Sequence, residues 1–283
     1  MVNCQDSAIA IQNLKKSYDN FELYIPNLSI EVGTCVGLIG ENGAGKSTLI
    51  KLMLQLIKRD DGVVRILGQD GLSKDLKKDV SVVFDSNSYN GSLTIQGVAT
   101  VLKDVYGTSW DEAFFFEQVN KGELPIDKNI DSFSLGMKAK LNIYIALSHH
   151  PKIIILDEAT SNLDPVVRME INRFIKDYVE RTGATVVFSS HIVNELEEIA
   201  DRLVFLHVGR IALDVEPDQL DTQFRLVKVE KDQPLPEDAI GPVSDGEGLL
   251  CIVGDAEGAS AAELVKQGVS PEEVLYFLSK GAR

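Results

Sequence analysis

The chain has 283 residues, a formal net charge of −15 at pH 7, 44% hydrophobic residues and 25% charged residues. This length suits one large α/β domain with a small appendage, and the composition is ordinary for a soluble globular protein. The acidic charge argues against long-range attraction to nucleic acid or to anionic lipid, so we expect neither as a direct partner.

Several sequence features predict a cytoplasmic location. No apolar run is long enough for a membrane-spanning helix. The N-terminus lacks the basic region and apolar stretch of a signal peptide. The cysteines, Cys4, Cys35 and Cys251, are scattered without metal or redox spacing. We therefore expect a protein of the reducing cytoplasm.

The N-terminal part of the chain predicts strands followed by a helix. Residues 8–32 alternate between apolar and polar positions and contain a turn signal at Asp19-Asn20, which predicts two or three antiparallel strands. The apolar run 35–39 predicts a buried strand. The run 49–57 has the spacing of a helix that is buried on more than one side.

The segment between this strand and this helix matches the phosphate-loop pattern G-x-x-x-x-G-K-[ST] at every fixed position. Glycines let the backbone wrap closely round a triphosphate, so that N–H groups and the helix N-terminus point at it. We expect Lys46 to reach the outer phosphates and the Ser47 hydroxyl to bind Mg²⁺. The sequence therefore predicts a site for ATP or GTP. The predicted binding residues are Gly40, Glu41, Asn42, Gly43, Ala44, Gly45, Lys46, Ser47 and Thr48.

The middle of the chain alternates between strand and helix patterns. From about residue 94 to residue 147 the pattern is helical, with Thr94 as a candidate N-cap and Pro151 after the end. Strands alternating with helices predict a mostly parallel sheet, into which a helical subdomain of about 90–150 is inserted. The expected strands are 63–67, 80–84, 153–156, 185–188 and 203–206, and helices are also expected at 114–119, 135–147 and 165–180.

The last segment is richer in proline, glycine and acidic residues. We interpret it as a small accessory domain over 217–283 that follows a main domain over 1–216. Strands are expected near 224–229 and 249–253. Ser270-Pro271-Glu272-Glu273 is a capping box with proline at the first helical position, which predicts a final helix.

Two carboxylates, Asp157 and Glu158, follow the apolar strand 153–156. Next to a phosphate loop, the first is placed to hold Mg²⁺, directly or through water. The second is the candidate to position or deprotonate an attacking water. The pair therefore predicts nucleotide hydrolysis.

Three further motifs lie round this acidic pair. Ser132-Phe133-Ser134-Leu135-Gly136-Met137-Lys138 lies upstream, Ser161-Asn162-Leu163-Asp164-Pro165 follows directly, and Ser189-Ser190-His191 ends the next strand. In this order of motifs, over residues 8–215, the chain resembles the ATP-binding cassette (ABC) ATPases. The resemblance implies an α/β P-loop NTPase fold with N-terminal antiparallel strands, a mostly parallel core sheet, a helical insertion and a small α+β C-terminal tail. It also implies ATP, in preference to GTP, as the nucleotide.

The resemblance implies a role for the upstream motif. In this family the signature motif, usually L-S-G-G-Q, contacts the γ-phosphate of ATP bound to the opposite subunit, which implies that role for Ser134 and Gly136. Phe133, Leu135 and Met137 depart from the usual motif. A hydroxyl, a backbone N–H and a helix N-terminus suffice to bind an anion, so we expect a working signature motif.

Further residues match family positions. His191 matches the switch histidine that contacts the γ-phosphate and the catalytic glutamate, and it joins Glu158 as a predicted catalytic residue. Tyr18 matches the aromatic residue that stacks on adenine, and Asp164 lies in the family's nucleotide-site loop. Asp85 stands where family members generally have a glutamine. A carboxylate can ligate Mg²⁺ but cannot donate a hydrogen bond, so this metal-binding role stays an open expectation.

The leading functional hypothesis is an ATP-hydrolysing subunit of an ABC transporter, similar to bacterial export-type cassettes. Two copies, or this chain and a homologue, would close head to tail over two ATP molecules, and a separate transmembrane permease would be the partner. The chain would then lie peripherally on the inner face of the cell membrane and contact the membrane through the permease. Two alternatives stay open: a soluble ABC ATPase that serves an assembly complex, and a module that holds ATP without hydrolysing it.

Overall fold

A computed structural model of the protein describes residues 7–73, 75–84, 91–230, 232–254 and 262–281, without the side chains of residues 194 and 195. Asp85, the expected metal ligand, and Cys4 lie outside the described residues. The strands are β1 (Ser7–Tyr18), β2 (Phe21–Glu31), β3 (Cys35–Ile39), β4 (Asp61–Ile66), β5 (Gln69–Asp70), β6 (Val80–Phe84), β7 (Ile153–Asp157), β8 (Thr185–Ser190), β9 (Arg202–His207), β10 (Arg210–Val215), β11 (Arg225–Glu230), β12 (Ile240–Ser244), β13 (Gly248–Val253) and β14 (Glu263–Gln267). The α-helices are α1 (Lys46–Met53), α2 (Ile95–Tyr106), α3 (Glu112–Lys121), α4 (Leu135–Leu147), α5 (Pro165–Thr182), α6 (Val193–Glu197), α7 (Pro217–Gln223) and α8 (Pro271–Lys280).

The described strands form three sheets. The N-terminal sheet has the order β2-β1-β4-β5 and is antiparallel. The core sheet has the order β10-β9-β3-β8-β7-β6, with parallel pairing except between β10 and β9. The C-terminal sheet has the order β12-β13-β11-β14 and is antiparallel.

The central strands of the core sheet are covered on both faces. Every residue of β3, β7 and β8 is buried, which explains the nearly continuous apolar runs of β3 and β7 and the apolar centre of β8. Because successive side chains of a strand point to opposite faces, β7 contributes to two separate clusters. Ile154 and Leu156 pack with residues of α4 and α5, whereas Ile153 and Ile155 pack with residues of α1 and the N-terminal sheet.

The helical insertion lies between β6 and β7, and its helices begin at polar caps. Thr94, Asp111 and Ser134 each accept a hydrogen bond from the backbone N–H three residues further on. The helices bury a cluster of their own that includes Trp110 and Phe115. Among the residues that the structure describes, no helix combines the length and the apolarity needed to cross a bilayer.

Some elements differ from the sequence-based expectation. Residues 8–32 form two strands, and α1 ends at Met53 instead of residue 57. Gln55 has a φ of +55°, a left-handed conformation that cannot continue a right-handed helix, and the Leu56 side chain is exposed. Strands β10, β12 and β14 and helix α7 were not expected. All five residues of β14 are exposed, so this strand has no buried face to produce an apolar pattern.

The C-terminal segment packs on the main core. Helix α8 begins with the expected capping box at Ser270. Its buried residues Val274 and Phe277 belong to one hydrophobic cluster with Ile252 of β13 and with Ile199 and Leu203, which precede this segment in the chain. Because burial of apolar area stabilises the folded state, the C-terminal segment contributes to the stability of the whole chain.

We expect Phe277→Ala to lower the free energy of unfolding by about 3–5 kcal/mol, because it leaves a cavity in this shared cluster. Tyr276→Ala is the matched control, since Tyr276 is adjacent on α8 but 52% exposed. Its expected cost is within about 1 kcal/mol. Urea unfolding of the full chain measures both. Equal, small effects of the two substitutions would contradict a shared core.

Candidate nucleotide-hydrolysis site

The loop between β3 and α1 has a backbone that requires glycine. Gly43 and Gly45 have φ values of +86° and +112°, and Gly45 is the N-cap of α1. A Cβ on Gly45 would lie 3.0 Å from side-chain atoms of Leu23 and Phe21. Glu41, Asn42 and Gly43 are exposed, Gly40, Ala44 and Gly45 are buried, and Thr48 is partly buried in the first turn of α1. The loop is therefore held against the fold while its tip and the N-terminus of α1 remain available to a phosphate.

The Lys46 side chain is 5% exposed and has several acceptors. Its Nζ atom donates hydrogen bonds to the carbonyl oxygens of Gly40, at 2.6 Å, and Glu41, at 3.3 Å. It also lies 3.2 Å from Oε1 of Glu158. A buried ammonium needs such partners, because removal from water penalises the charged form. The contacts hold Lys46 at the loop.

Ser47 and Asp157 bring oxygen atoms together at the end of β7. The Ser47 hydroxyl donates a hydrogen bond to Oδ1 of Asp157 at 3.2 Å, and the Ser189 hydroxyl donates to the same oxygen at 2.7 Å. A carboxylate beside a hydroxyl is the kind of oxygen set that Mg²⁺ prefers. The residues present therefore fit a magnesium ion.

Glu158 is surrounded by donors. Its Oε2 accepts hydrogen bonds from the Ser161 hydroxyl and from Nδ1 of His191, the latter at 2.7 Å. Burial raises the pKa of Glu158, but the hydrogen bonds from Ser161 and His191 and the charge of Lys46 outweigh it, so the pKa lies below its ordinary value. Glu158 also has a φ of +53°, a conformation uncommon for residues other than glycine. The surroundings keep the carboxylate ionised, as a base requires.

Tyr18 is the last residue of β1, just before the turn that leads into β2. Its ring is 49% exposed and lies 6.3 Å from the ring of Phe21, measured between centroids. Phe21 in turn lies next to Gly45 of the phosphate loop, because a Cβ on Gly45 would lie 3.0 Å from the Phe21 side chain. Lys16 Nζ lies 5.6 Å from the centroid of the Tyr18 ring. A half-exposed aromatic face beside the loop is suited to stacking on a base.

Ser134, Gly136 and Asp164 occupy helix starts. The exposed Ser134 caps α4 by accepting a hydrogen bond from Met137 N at 3.2 Å. A Cβ on Gly136 would lie 3.1 Å from the Val167 side chain, so α4 packs closely on the start of α5. Asp164 Oδ1 caps α5 by accepting hydrogen bonds from the N–H groups of residues 166 and 167.

The structure thus joins five predicted residues in one network of contacts, and it places the others round it. Within the described residues, the hydrogen bonds of the Ser134 and Asp164 side chains stay at their own helix starts. Two site residues were missed as individual predictions: Ser161 and Ser189. Both belong to motifs noted in the sequence, but the sequence around each serine does not show which carboxylate its hydroxyl contacts. The joined residues are Lys46, Ser47, Asp157, Glu158 and His191.

Comparisons with known proteins agree with this geometry. The family model described as ABC transporter matches residues 23–161. The lantibiotic transport ATP-binding protein SrtF of Streptococcus pyogenes is 38% identical over 213 residues, which are 74% of this chain and 91% of that protein. The bacitracin transport ATP-binding protein BcrA of Enterococcus faecalis is 32% identical, over 77% of this chain and 72% of that protein.

A solved structure supports the fold. The structure of an ATP-binding subunit of an ABC transporter matches with a TM-score of 0.65 and 24% identity, over 76% of this chain and 92% of the other. The expected α/β fold of the ABC ATPase type is thereby confirmed. With a relative 38% identical over 91% of its length, and with the phosphate loop and acidic pair in contact, the chain belongs to the ABC transporter ATP-binding proteins and is an ATP-binding, ATP-hydrolysing subunit.

Proposed function

We propose that the chain drives export through a separate transmembrane permease, by closing head to tail with a second ATP-binding subunit over two ATP molecules. The observation that carries hydrolysis is the position of Glu158, in contact with both Lys46 of the phosphate loop and His191. The observation that favours export is the similarity to proteins named for lantibiotic and bacitracin transport. The cargo would be selected by the permease.

The triphosphate of ATP would bind along residues 40–48. Backbone N–H groups of the glycine-rich loop and the N-terminus of α1 favour negative charge there, and Lys46 would pair with the outer phosphates. Tyr18 would stack on the adenine. Asp164 would act at the nucleotide site by fixing the start of α5 after the acidic pair.

Ser47 and Asp157 would hold Mg²⁺ through the hydroxyl and the carboxylate that already lie together. When bound, the ion would neutralise charge on the β- and γ-phosphates. A contribution from Asp85 stays an expectation from the sequence, because this residue lies outside the described residues.

Glu158 would orient the attacking water and accept its proton. His191 would hold the carboxylate through Nδ1, which must carry the hydrogen when it faces a carboxylate. Ser161 holds the same oxygen from the other motif. In-line attack on the γ-phosphorus then breaks the bond to the β–γ bridging oxygen and releases ADP and phosphate.

The signature residues would complete the site of the second subunit. Ser134 is exposed at the start of α4, and the neighbouring Leu135 is 65% exposed, so this helix start is accessible to a partner. Its hydroxyl and N–H groups would meet the γ-phosphate of ATP bound to the other chain. The pairing would be with a second copy or with a homologous subunit.

We also propose a division of the chain. Residues 1–216 would form the ATPase domain, with the helical subdomain of about 90–150 inserted, and 217–283 would form an accessory domain. The shared hydrophobic cluster supports a structural role for the accessory domain. The assembled protein would lie on the inner face of the cell membrane, through its contact with the permease.

Glu158→Gln should lower kcat for ATP hydrolysis by about 100-fold or more, because the amide cannot accept the proton of water. ATP-dependent dimerisation, measured by gel filtration, should persist because the phosphate loop and signature residues are unchanged. Glu170→Gln is the matched control: this glutamate pairs with Lys140 outside the site, and its loss should leave kcat unchanged. Turnover that survives Glu158→Gln would exclude Glu158 as the base.

Ser161→Ala should shift the acid limb of the kcat–pH profile to higher pH. The Ser161 hydroxyl stabilises the ionised form of Glu158, so its removal raises the pKa of Glu158 and the base becomes protonated at higher pH. At alkaline pH the two proteins should turn over ATP at similar rates. Ser279→Ala, which removes a hydroxyl from the C-terminal helix, is the control. An unchanged acid limb in Ser161→Ala would refute this role.

The transport proposal is tested by isolating the tagged full chain from its native cell in gentle detergent and identifying the proteins that co-purify. We expect a polytopic membrane protein in stoichiometric amount. The same purification from cells that express the tag alone is the control. A soluble partner, or self-association with ATP alone, would contradict the permease and favour the assembly-complex alternative.

A further inference from the structure

Ser189 is one of three buried hydroxyl residues of β8, together with Thr185 and Ser190. It is fully buried in β8, after Val187 and Phe188, which belong to the apolar clusters on opposite faces of the core sheet. Burying a hydroxyl costs free energy unless its hydrogen bonds are made. An alanine or valine would avoid that cost, so packing alone does not account for serine at this position.

The Ser189 hydroxyl joins both residues of the acidic pair. It donates a hydrogen bond to Oδ1 of Asp157 at 2.7 Å and accepts one from the backbone N–H of Glu158 at 3.2 Å. The same N–H lies 3.2 Å from the Ser189 carbonyl oxygen. The contact follows from the parallel register, in which Asp157 and Ser189 are paired.

These two bonds orient two different groups. Oδ1 of Asp157 also accepts a hydrogen bond from Ser47, so two hydroxyls on one oxygen fix the rotation of the carboxylate. At Glu158 the backbone has a φ of +53°, which persists only where neighbouring groups hold it. The hydrogen bonds from its N–H to the hydroxyl and to the carbonyl oxygen of Ser189 are such restraints. The backbone direction in turn sets where the Glu158 side chain points.

We propose that Ser189 is a positioning residue for ATP hydrolysis: its one hydroxyl sets the carboxylate of Asp157 and the backbone of Glu158 in their working orientations. It acts through these residues and does not bind the nucleotide. The inference rests on the proposed roles of Asp157 and Glu158. It extends the site by a residue whose contribution is geometric.

The test compares Ser189→Ala with Thr185→Val in the purified full chain. Thr185 is also a fully buried hydroxyl of β8, but it lies at the other end of the strand, pairs with Ile153, and accepts a hydrogen bond from Gly33 N. Valine removes that hydroxyl at nearly constant volume. Each substitution removes one buried hydroxyl from β8. Ser189 contacts the acidic pair, whereas Thr185 lies at the opposite end of the strand.

We expect Ser189→Ala to lower kcat by about 10- to 100-fold, since small displacements of catalytic groups cost that much. KM for ATP, and the affinity for a fluorescent ATP analogue without Mg²⁺, should change by less than about threefold because the phosphate loop is intact. Thr185→Val should keep the wild-type kcat even where its melting temperature falls as far as that of Ser189→Ala. Ser189→Thr, which restores the hydroxyl, should recover most of kcat.

A kcat within twofold of wild type in Ser189→Ala would overturn the proposal. So would an equal loss of kcat in Thr185→Val, or a loss of nucleotide affinity in proportion to kcat, since both would indicate general loosening of the sheet. Glu158→Gln in the same assay distinguishes failure of the positioning role of Ser189 from failure of the assignment of Glu158 as the base. If Glu158→Gln abolishes turnover while Ser189→Ala keeps kcat within twofold of wild type, the positioning role fails and the assignment of the base stands. If Glu158→Gln does not abolish turnover, the assignment of Glu158 as the base fails.

Discussion

The parallel register of β3, β8 and β7 is the constraint on which the site depends. Carboxyl ends of neighbouring parallel strands meet at one edge of a sheet, and loops at this edge carry the binding groups in open α/β folds. Here Ile39 pairs with Ser190, and Asp157 pairs with Ser189. The phosphate loop, the acidic pair and the segment that leads to His191 therefore leave the sheet side by side. The strand pairing therefore brings residues that are distant in the sequence close together.

The register is itself maintained by burial on both faces. The alternating residues of β7 belong to two clusters, one against α4 and α5 and one against α1 and the N-terminal sheet. A slip of one residue would exchange these faces and move Asp157 away from Ser47. The position of the acidic pair thus depends on apolar residues that never contact nucleotide, and the C-terminal segment adds to one of the same clusters.

The sequence predicted best what is determined locally. The loop at 40–48, the caps at Thr94 and Ser270 and the strand before Asp157 each follow from a short pattern, and the structure contains all of them. The sequence predicted poorly the features that depend on residues far away in the chain. The end of α1 is determined by the backbone at Gln55, and β14 exists because it pairs with β11, although its own residues are all exposed.

The site shows the same division between local and distant determinants. Residue types and order were enough to propose Lys46, Asp157 and Glu158 as site residues. The phosphate-loop pattern includes the lysine, and an acidic pair at the end of an apolar strand is placed to serve a nucleotide beside that loop. The proposed roles of Ser161 and Ser189 could be inferred only from the structure, which shows the oxygen that each hydroxyl contacts. Such contacts join different elements, so no periodicity in one segment reveals them.

The ion pair between Lys46 and Glu158 has a consequence for the reaction cycle. Its atoms lie 3.2 Å apart, and both side chains are largely shielded from water. In the proposed mechanism, an arriving phosphate would replace an existing carboxylate instead of meeting an unpaired ammonium, which would lower the net gain in free energy on binding. When phosphate leaves, the same carboxylate would pair with the lysine again. In the proposed mechanism, Glu158 would thus compete with phosphate for Lys46 from within the same chain.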